Sequence, residues 1–250
     1  MIKFLALALI LFTLTAQAFA SNVTTSTRTI SVALQDTTRT VEVEIPDFQE
    51  WIKTEIDNLP AQNREIIREL QKFPTDGTHT YFWPRKGEST YDGVTTDVVV
   101  KGVTVLRGEE KARAFCCGLT LQVAYNVLVD EFPDNSFDHD RFRKLWYCEE
   151  LFSPGPTDAL LWANLGYKVD ANEAIMGDFL HLWRHNKSGH SVIFMGWAVD
   201  TQGKLAGIHY WSTQTSTDGI GFNTELIGPS GKAVDLSRSG FSRLNRDHLY

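Results

Sequence analysis

Ala114-Phe115-Cys116-Cys117-Gly118-Leu119-Thr120-Leu121 sets two adjacent thiols at the head of an apolar run with helical spacing. Leu119, Val123, Val127 and Leu128 continue that run, so the spacing predicts a helix that starts at the cysteines and stops near Phe132-Pro133-Asp134. A thiol on the first turn of a helix meets unpaired N–H groups and the positive end of the helix dipole, which favour its thiolate. A nearby imidazolium lowers its pKa further. The reading of the chain therefore turns on which histidine reaches Cys116.

Downstream, Gly177-Asp178 predicts a tight turn into the strand Phe179-Leu180-His181-Leu182-Trp183-Arg184. After the loop His185-Asn186-Lys187-Ser188 comes Gly189-His190-Ser191-Val192-Ile193-Phe194-Met195-Gly196-Trp197, the best candidate for a central strand. The turn Asp200-Thr201-Gln202-Gly203 leads to Leu205–Gln214, a second strand expected to pair with it as a hairpin. A histidine at the start of the first of these strands faces the N-terminus of a helix packed on the sheet. Proximity lets the imidazole take the thiol proton, the thiolate attack an acyl carbon and the imidazolium protonate the departing amine. A polar group on the next strand would hold the ring in the required tautomer, and His209 and Gln214 are the candidates.

These pieces resemble a known family. Cys116-Cys117-Gly118-Leu119 is similar to the D-C-S-G-L helix start of NlpC-type cell-wall cysteine peptidases. Gly177-Asp178-Phe179-Leu180 is similar to their G-D-L lead-in, and Gly189–Gly196 to their S-H-V-[GA]-I-Y-[LV]-G strand. The resemblance spans roughly residues 90 to 225. It implies an α+β, papain-like fold with the nucleophile helix packed on an antiparallel sheet. It also implies Cys116 as nucleophile, His190 as general base and acid, and an amide bond in peptidoglycan stem peptides as substrate. Gln214, just ahead of Asp218-Gly219-Ile220-Gly221, resembles the family's third polar residue. Phe115 stands where the family often has Asp, and Cys117 where it often has Ser. Relatives of the fold also perform acyl transfer and thioester hydrolysis.

Lys3, the apolar stretch Phe4–Leu14 and Ala18-Phe19-Ala20 have the form of a secretory signal peptide over residues 1–20. That apolar stretch is shorter than the ~20 residues of a membrane span, so no integral membrane segment is expected after cleavage, and a secreted or periplasmic location is. Residues 21–77 read as an extension with a hairpin (Thr29–Leu34 and Thr40–Ile45) and two helices (from Pro46-Asp47 to Ile56, and Arg64 to Phe73). Residues 78–250 read as the hydrolase domain. Within it, His79–Pro84 and Val98–Val105 read as strands, Lys86-Gly87-Glu88-Ser89 as a turn, Asp138–Leu151 and Ala159–Leu165 as helices, and residues after Gly228 as polar surface and tail.

The formal charge of −7, with no run of like charges, excludes a basic nucleic-acid-binding surface. Three cysteines leave two readings open: three reduced thiols, or Cys148 bridged to one of Cys116 and Cys117. His181 and His185 lie on a strand and a loop rather than one helical face, so no metal or other cofactor is expected. The competing function is a non-catalytic module that binds a cell-wall glycan or peptide in an aromatic cleft formed by Tyr81, Trp83 and Trp211. Oligomeric state is not legible.

Overall fold

The computed structural model describes residues 23–84, 91–132, 136–148 and 150–245. The signal-like segment 1–20, the turn Lys86–Ser89 and the helix stop at Pro133-Asp134 lie outside them.

A hairpin opens the described chain, β1 (Thr25–Ala33) antiparallel to β2 (Thr38–Pro46). Asp47 then caps α1 (Phe48–Glu55), its carboxylate accepting the Gln49 and Glu50 N–H groups at 3.0 Å each. Pro60 precedes α2 (Ala61–Leu70), which begins three residues earlier than the apolar pattern indicates. The run Val98–Val105 is broken into β3 (Val98–Val100) and β4 (Val103–Leu106), because Lys101-Gly102 turns the chain back on itself.

Next comes α3 (Cys116–Leu128), followed by α4 (His139–Trp146) and α5 (Pro156–Ala163). Nearly every α3 residue is buried, as expected of a helix that is apolar on all sides. Gly118 permits the closest approach to it: a Cβ there would lie 2.3 Å from the Gly93 carbonyl oxygen and 2.4 Å from that of Asp92.

The remaining strands are β5 (Gly166–Val169), β6 (Phe179–Trp183), β7 (Gly189–Val199), β8 (Leu205–Gln214), β9 (Gly219–Leu226) and β10 (Gly240–Leu244). They form a six-stranded sheet in the order β5-β10-β6-β7-β8-β9 with antiparallel pairing at each step. The protein is thus α+β. The segment after Gly228 is not all tail, because β10 occupies an interior position of the sheet.

α3 packs on the face of β7 and β8 that carries Ile193, Met195 and Trp211, and it shares one apolar core with α1 and α2. The opposite face, with Leu180, Val192, Phe194 and Tyr210, forms a second core with Val234 and Phe241. Fixed polar contacts lock the layers together. Thr120 on α3 meets Ser191 on β7, Oγ1 to Oγ at 2.8 Å, and accepts the Trp146 indole N–H at 3.1 Å. Asp178, fully buried before β6, accepts Asn63 Nδ2 of α2 at 2.9 Å and both Nε and Nη2 of Arg243 on β10 at 2.7 and 2.8 Å.

Candidate active site

Cys116 is the first residue of α3, where the N–H groups have no intrahelical acceptor, and it is buried. Its Sγ lies 3.7 Å from that of Cys117. Hydrogen bonding from the Cys117 thiol is the largest influence on Cys116. Burial opposes ionisation, but the charge and hydrogen bond of His190 and the Ser191 backbone add to the lowering. The result is a thiol held well below its ordinary range. Cys117 is pushed well above, because it keeps the proton with which it hydrogen-bonds to Cys116 and is itself buried. Of the two adjacent cysteines, these influences favour ionisation of Cys116 over Cys117.

His190 stands opposite Leu182 near the start of β7, and its ring meets Tyr210 edge-on at 5.5 Å. The structure brings Cys116 and His190 to one cavity of about 410 Å³. Tyr81, Trp83, Tyr147 and Trp183 supply its aromatic walls. Trp83 is 55% exposed and packs on Phe115 at 4.6 Å. Trp211, expected in this cleft, is instead fully buried against Phe73, because it points to the helix-covered face of β8. Tyr81 reaches the cleft without a full strand around it: a single bridge to Ala114 holds it there.

Gln214 ends β8. Trp211 of β8 pairs with Ile193, and the neighbouring Tyr210, whose ring meets His190, is the residue that links Gln214 to it. The Gln214 Oε1 lies 2.8 Å from the Tyr210 hydroxyl, which also lies 2.5 Å from Glu225 Oε1. His190 Nε2 and Gln214 Nε2 are both buried with no hydrogen-bond partner among the described residues. Behind them, Glu225 holds Arg184 through Nε at 2.7 Å and Nη2 at 2.6 Å. Burial raises the Glu225 pKa, but Arg184, His190 and Tyr210 outweigh it and leave the carboxyl below its usual range.

His209, the other orienting candidate, lies elsewhere. Its Nδ1 is 2.7 Å from Thr224 Oγ1 and its ring lies edge-on to Phe48 and Trp51, where burial pulls its pKa down to about 3. The β-bulge between Phe194 and Gly196 changes the pairing along β7 and β8, and His209 faces α1 rather than α3.

One feature of the cleft escapes the sequence reading. Cys148 Sγ lies 3.2 Å from His181 Nδ1, although 33 residues separate them. Gly155 lets the two meet, since a Cβ there would lie 2.3 Å from Cys148 Sγ and 3.3 Å from His181 Nδ1. The sequence carries no signal for the pair beyond the presence of a third cysteine and of a histidine within a strand. All three cysteines are free thiols. Among the described residues, no group of three or more His, Cys, Asp or Glu side chains converges as a metal site. His185 turns away to the Gly228 carbonyl at 2.7 Å. A second cavity of about 360 Å³, between Trp51 and Trp197, has neither thiol nor imidazole in its walls.

Fold and site together define an α+β protein with a buried thiol–imidazole pair at a helix start. The chain matches no family model, no curated protein and no solved structure.

Proposed function

We propose that the protein is an exported cysteine hydrolase of papain-like, NlpC-type fold that cleaves an amide bond in peptidoglycan stem peptides. The observation that carries this reading is the shared cavity of Cys116 and His190, with the Cys116 thiol lowered and the Cys117 thiol raised. A thiolate at a helix start beside an imidazole has no use in a protein that only binds. The peptidoglycan assignment draws on the three motifs and on the signal-like residues 1–20.

The chemistry follows from the pair. The Cys116 thiolate bonds to the carbonyl carbon while the C=O π pair moves to oxygen. As the C–N bond breaks, the proton held on His190 leaves with the amine. His190 then takes a proton from water, whose oxygen attacks the acyl carbon, and the C–S bond breaks to release the acid and the thiolate. Gln214 is the orienting residue in this reading. With its amide turned over, NH2 faces the Tyr210 hydroxyl and the carbonyl oxygen is free to accept a hydrogen bond from the imidazole.

Digestion of purified peptidoglycan by wild type and by Cys116→Ala, with mass analysis of the products, tests the proposal. New amine and acid ends are expected only with wild type. Identical product profiles would remove the cell-wall substrate. An acyltransferase or thioesterase would leave the peptidoglycan intact yet form an acyl-enzyme at Cys116 from an activated ester. A binding module that uses the exposed Trp83 would do neither.

A further inference from the structure

Cys148 and His181 form a second thiol–imidazole pair on the wall of the Cys116 cavity, and hydrolysis by Cys116 and His190 leaves it without a task. Its protonation is the reverse of the first pair. Burial pushes the Cys148 thiol up to about 12 and the His181 imidazole down to about 4, so at neutral pH both are uncharged. Cys148 has one proton to give and three acceptors in reach: His181 Nδ1 at 3.2 Å, the Ser153 carbonyl at 3.5 Å and the Trp146 carbonyl at 3.9 Å. The Ser153 carbonyl already accepts the Trp183 indole N–H at 2.9 Å. The imidazole nitrogen is both the nearest and the most basic of the three, so it takes the thiol proton as a hydrogen bond. A neutral imidazole that accepts at Nδ1 carries its own proton on Nε2.

That Nε2 is a buried N–H without an acceptor. His181 is 3% exposed and its Nε2 has no hydrogen-bond partner among the described residues. The atom lies over Gly189, where an added Cβ would be 2.6 Å away, one residue before His190. A buried donor left unpaired costs free energy that a ligand in the cavity can return. His190 cannot serve as this donor, because it carries the proton that leaves with the amine.

We infer that His181 is a catalytic residue: its Nε2–H donates to the carbonyl oxygen of the acyl group that Cys116 attacks, and Cys148 is the positioning residue that fixes the ring's tautomer. The inference rests on Cys116 being the nucleophile. As the S–C bond forms, the π pair of the carbonyl becomes a lone pair on oxygen. His181 binds that oxygen through a hydrogen bond and keeps its proton throughout. When the C–N bond breaks, the pair returns to the carbonyl. A neutral donor fixed in place before the reaction stabilises charge that exists only near the transition state, so its effect falls on the rate of acylation.

The test compares acylation by p-nitrophenyl acetate, read as the p-nitrophenolate burst, with alkylation by iodoacetamide, a displacement that develops no charge on a carbonyl oxygen. His181→Phe is expected to slow acylation by about 10²–10³-fold, the usual effect of losing one such donor, while Cys116 alkylation stays within about twofold of wild type. His181→Gln, whose amide N–H reaches the same position, restores at least roughly tenfold of the loss. Cys148→Ala lowers kcat with little change in KM, and Cys148→Ser, which keeps a donor to Nδ1, recovers it. Equal losses in acylation and alkylation would show a structural role and overturn the inference, as would unaltered acylation in His181→Phe. Should His181→Phe fail to fold by circular dichroism, the Cys148→Ala and Cys148→Ser comparison decides, and equal rates in those two refute the tautomer argument. A wild type with no Cys116-dependent burst overturns the nucleophile reading and this inference together. An intact burst in a folded His181→Phe overturns the inference alone.

Discussion

Asp178→Ala removes the carboxylate on which three parts of the chain converge. Asp178 is fully buried and takes four hydrogen bonds: Asn63 Nδ2 and the Ile175 N–H at 2.9 Å each, and the Arg243 guanidinium at 2.7 and 2.8 Å. Its loss leaves the Arg243 guanidinium, whose side chain is only 15% exposed, without a counter-charge, and it orphans the Ile175 N–H. Asn63 is affected less, because its Nδ2 keeps the Met176 carbonyl at 2.9 Å. Breaking a buried pair from one side costs about 3–5 kcal/mol. In a domain of this size that corresponds to a fall in Tm of about 6–20 °C, at roughly 2–4 °C per kcal/mol. Urea unfolding at pH 7 measures the effect. Arg243→Ala is expected to cost a similar amount, since it strands a buried carboxylate. The double variant should fall at least ~2 kcal/mol short of the sum, because neither charge is then left alone. A loss below about 1 kcal/mol for Asp178→Ala, or additive losses in the double variant, would refute the argument that this pair joins α2, β6 and β10.

Two further outcomes follow from the protonation states. A free thiol of pKa ~8.5 is only about 0.3% ionised at pH 6, and its alkylation rises about 75-fold by pH 8. Cys116, held well below that range by Cys117 and His190, should instead react with iodoacetamide at a nearly constant rate over this interval, and a tenfold rise per pH unit would contradict its thiolate character. The second outcome concerns acid. Burial depresses His181 to about 4 and His209 to about 3, so both are neutral in the folded protein while the unfolded chain takes up protons below about 6.5. Their contribution to stability is complete above pH 6.5 and is lost as pH falls toward 4, with each group removing about 1.4 kcal/mol per pH unit at the steepest. Urea midpoints at pH 7, 6 and 5 should therefore decline. A flat series would mean that neither ring is shielded as the structure describes.

The sequence disclosed elements whose periodicity matches their burial. β1 and β2 alternate in residue type, although most of β1 is exposed, and the apolar stretch after Cys116 follows a helix that is buried almost throughout. β7 and β8 were legible as apolar runs flanking a turn. β10 was not, because Ser242 and Arg243 give it a surface-like composition. Arg243 is satisfied through Asp178, and Ser242 is fully buried within the sheet. β5 is four residues long, too short for periodicity to show. Val98–Val105 looked continuous because its residue types suit a strand on both sides of the Lys101-Gly102 turn. At the site, Cys116 and His190 were visible because each opens an element, and Gln214 because it closes one. Cys148 follows the end of α4, at φ +55°, and His181 lies mid-strand, so no periodic signal links them. Only the path of the chain through Ser153 and Gly155 brings them together.

The interior place of β10 imposes an order on the birth of the molecule. β6 cannot bond on both edges, and β5 has no neighbour, until residues 240–244 have left the ribosome. Until then the Asp178 carboxylate waits for its guanidinium, and His181, paired with Gly240, has an open strand edge beside it. The ion pair that ties α2 to the sheet therefore closes only after residues 240–244 have taken their place between β5 and β6.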